Sequence, residues 1–525
     1  MAEDFEGFGR PAPVPKMVQD FVVYCYRHIR QRNVREIYTM YSLTFPHLSE
    51  RYFKGTSWPP VSAISHLVDH DHVFCMLYRE MTFRHLYAKA RPTVAQRAES
   101  WANYAALFQV VLSSQLNVQL PNAWLWDMID EFIYQYQSWA QFRGKVQGKT
   151  ADELEALQEA ADAWEPQAVL AILNQLVANS KIREELSKQE NVERMFQTEA
   201  YIPGQSNVLH MLGYFSLIGL LRMHSILGDA RAGLQALAPL SPFNRRDLFA
   251  TKIAMANVTM FYYCSFAYLQ MGRYVDAARC LNFVLGYIVR VKAHHARGPG
   301  YDQLLKKNEQ LYAALALALA LCPPAARVLE ESVHSSLREK CGEKLRAVTA
   351  GSVEAAEELF AYACPKFVSP TGPDWSSPAS NANMEAYRQQ LAAFLSVLEE
   401  RRHLPALKQF LSLYSSITVA KLARLAEMDE ASLRSQLDLL RRSTQVVSWD
   451  GGDALAGKQE STGELDFSIE NQGGQDMVVV RETGAVVRDA AAFITQHISK
   501  FEDIARDLDA IVLPQAGAAA SVAAN

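Results

Sequence analysis

His66, His70 and His72, interleaved with Asp69 and Asp71, are side chains that could ligate a metal. On a helix, the H-x-x-x-H spacing of the first two would put both imidazoles on one side, as zinc sites require. No glutamate base stands between them and no third ligand follows at a known spacing, so the expectation is a solvated or capping role. Carboxylates offer a second chemistry. Asp127, Asp130 and Glu131 lie within an aromatic run, Trp124–Tyr136 (WLWDMIDEFIYQY). An acid–base pair needs a cleft and raised pKa values, and helical spacing gives the simpler reading of a core face with a polar back. His294-His295, beside Arg297 and Gly298, reads as cations at a helix end, where the dipole favours them. The sequence holds no G-x-x-x-x-G-K-[ST], G-x-G-x-x-G or G-x-S-x-G pattern. These readings assign no catalytic residue, no cofactor and no metal, and point away from an enzyme.

Nucleic-acid binding competes more strongly. Residues 401–442 carry eight Lys or Arg against four Asp or Glu. A helix–turn–helix there could place its second helix in a major groove, but Asp429 and Glu430 open that helix and would repel phosphate. A basic patch of Arg434, Arg441 and Arg442 making non-specific RNA contact is the milder expectation. A net charge of −5 gives no global drive toward nucleic acid or an anionic membrane.

The elements that must position these residues are mostly helical. Half the residues are hydrophobic, enough for large cores. Leu311–Cys322 (LYAALALALALC) is the most apolar run, shorter than the ~20 residues of a membrane span, and reads as a buried helix; no membrane association is expected. Seven scattered cysteines without C-x-x-C spacing suit reduced thiols in the cytoplasm. Residues 1–16 read as a flexible tail and 17–200 as an N-terminal helical region, more charged and exposed over 143–200. Helical repeats are expected over 201–400. Two segments align 44 residues apart: Leu227-Gly228-Asp229-Ala230, with Gly233 and Leu237, matches Met271-Gly272-Arg273-Tyr274, with Ala277 and Leu281. Each puts a glycine between two amphipathic helices; the second copy is TPR-like, the spacing longer than the ~34-residue TPR period. Residues 365–383 form a Pro- and Ser-rich loop.

Over 404–484 the order helix, helix, strand, strand predicts a winged helix. Thr418 and Asp429 are expected N-caps, Leu433, Leu437 and Leu440 a buried stripe, 450–463 a loop, and Leu465–Ile469 with Met477–Arg481 a hairpin turning at Gln472-Gly473-Gly474. The last helix, 485–510, carries Val487, Ala491, Ile494, Ile498, Phe501, Ala505 and Leu508 in alternating steps of four and three, an a/d seam. That seam either packs on its own domain or joins helices of other chains. It is the expected partner-binding surface, together with the hairpin residues Met477, Val478, Val479 and Val480. Residues 511–525 read as a disordered tail. The fold class is therefore mainly α: irregular helical repeats (a TPR-like or HEAT-like solenoid), a winged helix and a C-terminal bundle helix.

Specific stretches resemble one family. They are Glu50-Arg51-Tyr52-Phe53-Lys54 before Trp58-Pro59, Arg84–Lys89, Leu120–Gln137, Met211–Leu221, Phe266–Ala277, Tyr362–Phe367 and Val419–Ala423. Over about residues 17–510 the chain is similar to the L subunits of eukaryotic translation initiation factor 3, which are PCI-domain proteins. The resemblance implies a non-catalytic scaffold subunit of that factor, supporting its binding to the small ribosomal subunit and assembly of the pre-initiation complex on mRNA. It implies partners: other PCI subunits, the K subunit above all, and the C-terminal helices of neighbouring subunits. The alternatives are a PCI subunit of another assembly, such as the proteasome lid or the signalosome, and a stand-alone winged-helix nucleic-acid binder.

Overall fold

The computed structural model describes residues 14–113, 117–188, 206–238, 240, 242, 252–295, 301–377, 380–449, 453–462, 465–481, 498, 501 and 505. The chain divides into two compact units, one of residues 1–401 and 447–459, the other of 402–446 and 460–525.

The first unit is helical, and its aromatics explain where its helices meet. Helices Lys16–Gln31 and Phe45–Tyr52 close around Phe21, Phe45, Phe53 and Trp58, with ring centroids 4.6–6.3 Å apart. Helices Val94–Leu112 and Asn122–Arg143 meet over Trp101, Tyr104, Phe108, Phe132 and Trp164. The aromatic run Trp124–Tyr136 is core, as its periodicity predicts: Trp124, Leu125, Met128, Ile129, Phe132, Ile133 and Tyr136 are all buried. Helix Val208–Ile226 is apolar all round and buried on nearly every side, the mark of a central helix. It packs on helices Asn122–Arg143 and Pro166–Ser180. The second of these corrects the expectation of exposed helices over 143–200. Val169, Leu173, Leu176 and Val177 recur at helical spacing and are buried, so charge elsewhere in the stretch hides a core stripe.

Two helix–turn–helix pairs follow, Val208–Ile226 with Ala230–Leu237 and Ala254–Gln270 with Tyr274–His295. Helix Tyr301–Leu321 holds the apolar run, with Leu311 to Leu319 buried. Among the described residues no helix is long and apolar enough to cross a membrane. Among its described residues the 364–381 segment has no helix; Val368 N donates to Ile226 O at 3.0 Å, and Phe367 and Val368 are buried.

The second unit is the winged helix. Helix Leu404–Leu413 leads to β1 (Ser416–Thr418), helix Val419–Leu425 and helix Glu430–Ser443. Thr418 and Asp429 cap as expected: Lys421 N donates to Thr418 Oγ1 at 3.3 Å and Ser432 N to Asp429 Oδ2 at 3.0 Å, each cap contributing ~1 kcal/mol. After the second helix the chain crosses the division between the units within β2 (Gln445–Ser448) and again within β3 (Lys458–Ser461), strands that pair with each other, so the expected 450–463 loop ends in a strand. β4 (Asp466–Gln472) and β5 (Gln475–Arg481) form the hairpin, with Gln472 opposite Gln475 and both turn glycines at positive φ. Leu404, Leu407, Leu411, Ile417, Val419, Leu422, Leu433, Leu437, Leu440, Phe467 and Val478 build the core, at ~1.5–3 kcal/mol for each large side chain fully buried.

Candidate functional site

The histidine set does not form a ligand group. Ser65–Val68 is a short 3-10 turn, Asp69 and His70 follow with φ of 53° and 55°, and helix His72–Lys89 starts only afterwards. The H-x-x-x-H pair therefore straddles a turn instead of sharing a helix face. Asp71 caps that helix, accepting from Phe74 N at 2.9 Å, and pairs with Arg30 at 3.4 Å. Among the described residues no group of three or more His, Cys, Asp or Glu could hold a metal. The seven cysteines are free thiols, six of them buried.

The carboxylates of helix Asn122–Arg143 sit in a charged layer that sequence reading only half found. Asp127 accepts from the Tyr41 hydroxyl and faces Arg84 at 3.4 Å, Asp130 pairs with Arg222, and Glu131 accepts from Gln135 Nε2 at 3.4 Å. Sequence reading missed Glu80, which is fully buried. Trp124 Nε1 donates to it at 2.9 Å, the Tyr104 hydroxyl at 3.3 Å, and Arg84 lies beside it. Burial pushes the Glu80 carboxyl up to about 8, and burial raises Asp127 and Glu131 too. Raised carboxyls can mark proton-transfer sites. Here Arg84, stacked over Tyr41, which itself stacks on Trp124, and Arg222 hold the acids between helices. The arrangement is that of a structural layer.

In the winged helix, the structure separates the expected residues. β5 is the middle strand of the sheet β1-β5-β4: Met477, Val478 and Val479 pair with β1, and Met477 to Arg481 with β4. Met477, Val478, Val479 and Val480 therefore have no free main-chain edge, and Val478 is wholly buried. The physical reason is that an apolar β-branched strand is stabilised by cover on both sides. The edge strands of this sheet among the described residues are β1 and β4, and Ile469 of β4 is exposed beside Asp466 and Glu470. Arg434 is bound to Asp476 across the unit, which leaves Arg441 and Arg442 as the exposed arginines of the expected basic patch.

Of the seam, Val487, Ala491, Ile494 and Leu508 lie outside the described residues. The three described positions are helical and exposed: Ile498 is 52% exposed, Phe501 69%, and Ala505 faces solvent too. The winged-helix core closes without them.

Helix–turn–helix repeats preceding a winged helix define a helical, PCI-type subunit. Comparison with known proteins narrows this class. The family model described as RNA polymerase I-associated factor PAF67 matches residues 96–501. Eukaryotic translation initiation factor 3 subunit L of Nematostella vectensis is 40% identical over 508 residues, 95% of this chain and 94% of that protein. The proteins of that name from Homo sapiens and Gallus gallus are 36% identical over 521 residues, 94% of this chain and 90% of theirs. The chain belongs to the eukaryotic translation initiation factor 3 subunit L family.

Proposed function

We propose that this chain is a non-catalytic scaffold subunit of translation initiation factor 3 in the cytoplasm, joined to its neighbours through its last helix and the β4 edge. The observation that carries the reading is the exposure of Ile498, Phe501 and Ala505 on one heptad seam. A Phe left 69% exposed by its own fold is a side chain for another helix to cover. The partners of this reading are the C-terminal helices of neighbouring subunits and the PCI subunit K, with the small ribosomal subunit and mRNA engaged through the complex.

The test is co-purification from eukaryotic cells. Ile498→Asp with Phe501→Asp should lower recovery of the other factor subunits at least tenfold while the circular dichroism of the purified chain is unchanged. Recovery equal to the unaltered chain would remove the seam from the interface. Recovery of proteasome-lid or signalosome subunits instead would overturn the assignment to this factor. RNA contact, where it occurs, falls to Arg441 and Arg442. Arg441→Glu with Arg442→Glu should then weaken RNA binding and flatten its salt dependence.

A further inference from the structure

Helix Val208–Ile226, helix Tyr301–Leu321 and the 364–381 segment bring together more positive charge than the first unit neutralises. Arg222 is 8% exposed and pairs with Asp130, whose carbonyl also accepts from its Nη1 at 3.3 Å. Arg222 Nε is buried without an acceptor among the described residues. Lys307 Nζ lies 4.4 Å from the centroid of the Tyr262 ring and donates to the neutral Gln310 Oε1 at 3.0 Å. Burial, Arg222 and Lys366 bring its ammonium down to about 8, and Asp130 opposes them. Lys366 is exposed, and its carbonyl accepts from Gln137 Nε2 at 2.6 Å. Gln137 stands two turns beyond Asp130 on helix Asn122–Arg143, on the same face. Beside Lys366 lies a cavity of about 290 Å³ lined by Ala361, Pro365, Phe367, Met384 and a second exposed lysine, Lys145. Lys145 is set there by the bridge between 144–146 and 380–382, in which Val146 N donates to Ser380 O at 3.1 Å and Ala382 N to Gly144 O at 3.0 Å.

Elsewhere in this unit a buried charge meets its opposite: Arg84 lies with Glu80 and Asp127, and Arg273 with Asp276. Here Asp130 and, less strongly, Glu131 act on Arg222, while among the described residues none of Lys307, Lys366 and Lys145 has a carboxylate partner. A cation withdrawn from water without a counter-ion costs stability. The surplus is therefore relieved when an anion from outside supplies the missing charge-assisted hydrogen bonds. Two features select that anion. A nucleic-acid strand meets cations spread along an open surface, whereas Arg222 is buried and Lys307 half-buried. The cavity beside them has apolar walls and room for a side chain, which suits a polypeptide carrying a carboxylate next to an apolar residue. We propose that Arg222, Lys307 and Lys366 bind an acidic segment of a protein partner. A Glu or Asp carboxylate sits among the three cations, and the apolar side chain beside it enters the cavity next to Lys145.

The test is fluorescence anisotropy on the full chain with a labelled peptide of Glu, Asp and a single Phe. The peptide should bind saturably, and its Gln/Asn counterpart at least tenfold more weakly. Lys307→Gln with Lys366→Gln should weaken the acidic peptide at least tenfold, while the same charge change at exposed Lys16 and Lys54 should leave it within twofold. Equal loss in both pairs, or equal binding of the amide counterpart, overturns the proposal. So does a uridine oligonucleotide that binds more tightly than the peptide and is lost with Lys307→Gln and Lys366→Gln. If circular dichroism shows that pair altered, Lys145→Gln with Lys366→Gln, both at exposed positions, takes its place; unchanged binding there overturns the site. Binding an anion favours the charged lysine, so affinity should fall as pH rises through about 8, and Lys307→Arg should abolish the fall. An affinity that is flat across this range removes Lys307 from the site. These measurements involve no partner subunit of the complex, so their outcome is independent of the assembly role.

Discussion

Two turns 44 residues apart share a backbone and differ in what they do with it. At the first, Leu227, Gly228 and Asp229 donate to Met223, Ser225 and His224; at the second, Met271, Gly272 and Arg273 donate to Ala267, Leu269 and Tyr268. The glycines take φ of 88° and 73°, the left-handed conformation that ends one helix and aims the next. Asp229 then does what its type suggests and caps the following helix, with Ala232 N donating to Oδ1 at 2.9 Å. Arg273 occupies the same position and cannot cap. It turns outward to carbonyls 181 residues along the chain and takes Asp276 as its counter-ion. A turn's geometry is thus set by hydrogen bonds near in sequence, while its function follows from the one side chain that faces away.

The largest effect should come from breaking the second turn. Arg273→Met leaves the buried Asp276 carboxylate with Arg279, 3.6 Å away, as its remaining counter-ion and should cost at most about 3–5 kcal/mol of stability, measured by urea unfolding. Arg273→Lys should recover only part of this, since an ammonium cannot reproduce the five-donor fork.

The deficit of Arg273→Met should also depend on pH. Burial already raises Asp276 above the ordinary carboxylate range, and Arg273 opposes that shift. Without the arginine the folded-state value rises further. A raised folded value contributes stability that is full below the unfolded pKa and is lost as pH rises through the folded one. The deficit should therefore be smaller at pH 5 than at pH 7.5; an equal deficit at both would show that Asp276 is not the group left uncompensated.

Asp229→Ala, at the first turn, should cost only ~1 kcal/mol, the ordinary loss of a cap. If it costs as much as Arg273→Met, the distinction between the turns fails. Of similar size, Gly272→Ala should cost roughly 1–2 kcal/mol for the left-handed backbone, and Gly228→Ala about the same, since the atom 2.9 Å from its Cβ is the movable end of the Gln390 side chain.

Much of the molecule was legible in the sequence. The caps at Thr418 and Asp429, the stripe Leu433, Leu437 and Leu440, the Gly473-Gly474 turn and the paired repeat turns all depend on residues a few positions apart. The family could be read too, because it is carried by whole stretches such as Phe266–Ala277. Other features stayed hidden. Glu80 was legible only as one half of an i, i+4 pair with Arg84; its burial was not, because its donors Tyr104 and Trp124 come from two other helices. The stripe Val169, Leu173, Leu176 and Val177 was masked by the charge around it.

The sequence by itself determined the helices, their caps, the order of a winged helix and the a/d seam, since periodicity and short-range hydrogen bonding need only neighbours. Tertiary structure alone decided that β5 lies between β1 and β4 and that Arg273 grips residues 454–456. Those choices depend on which distant groups meet once apolar surface is buried. A charge withdrawn from water there must find whatever partner the closed fold supplies.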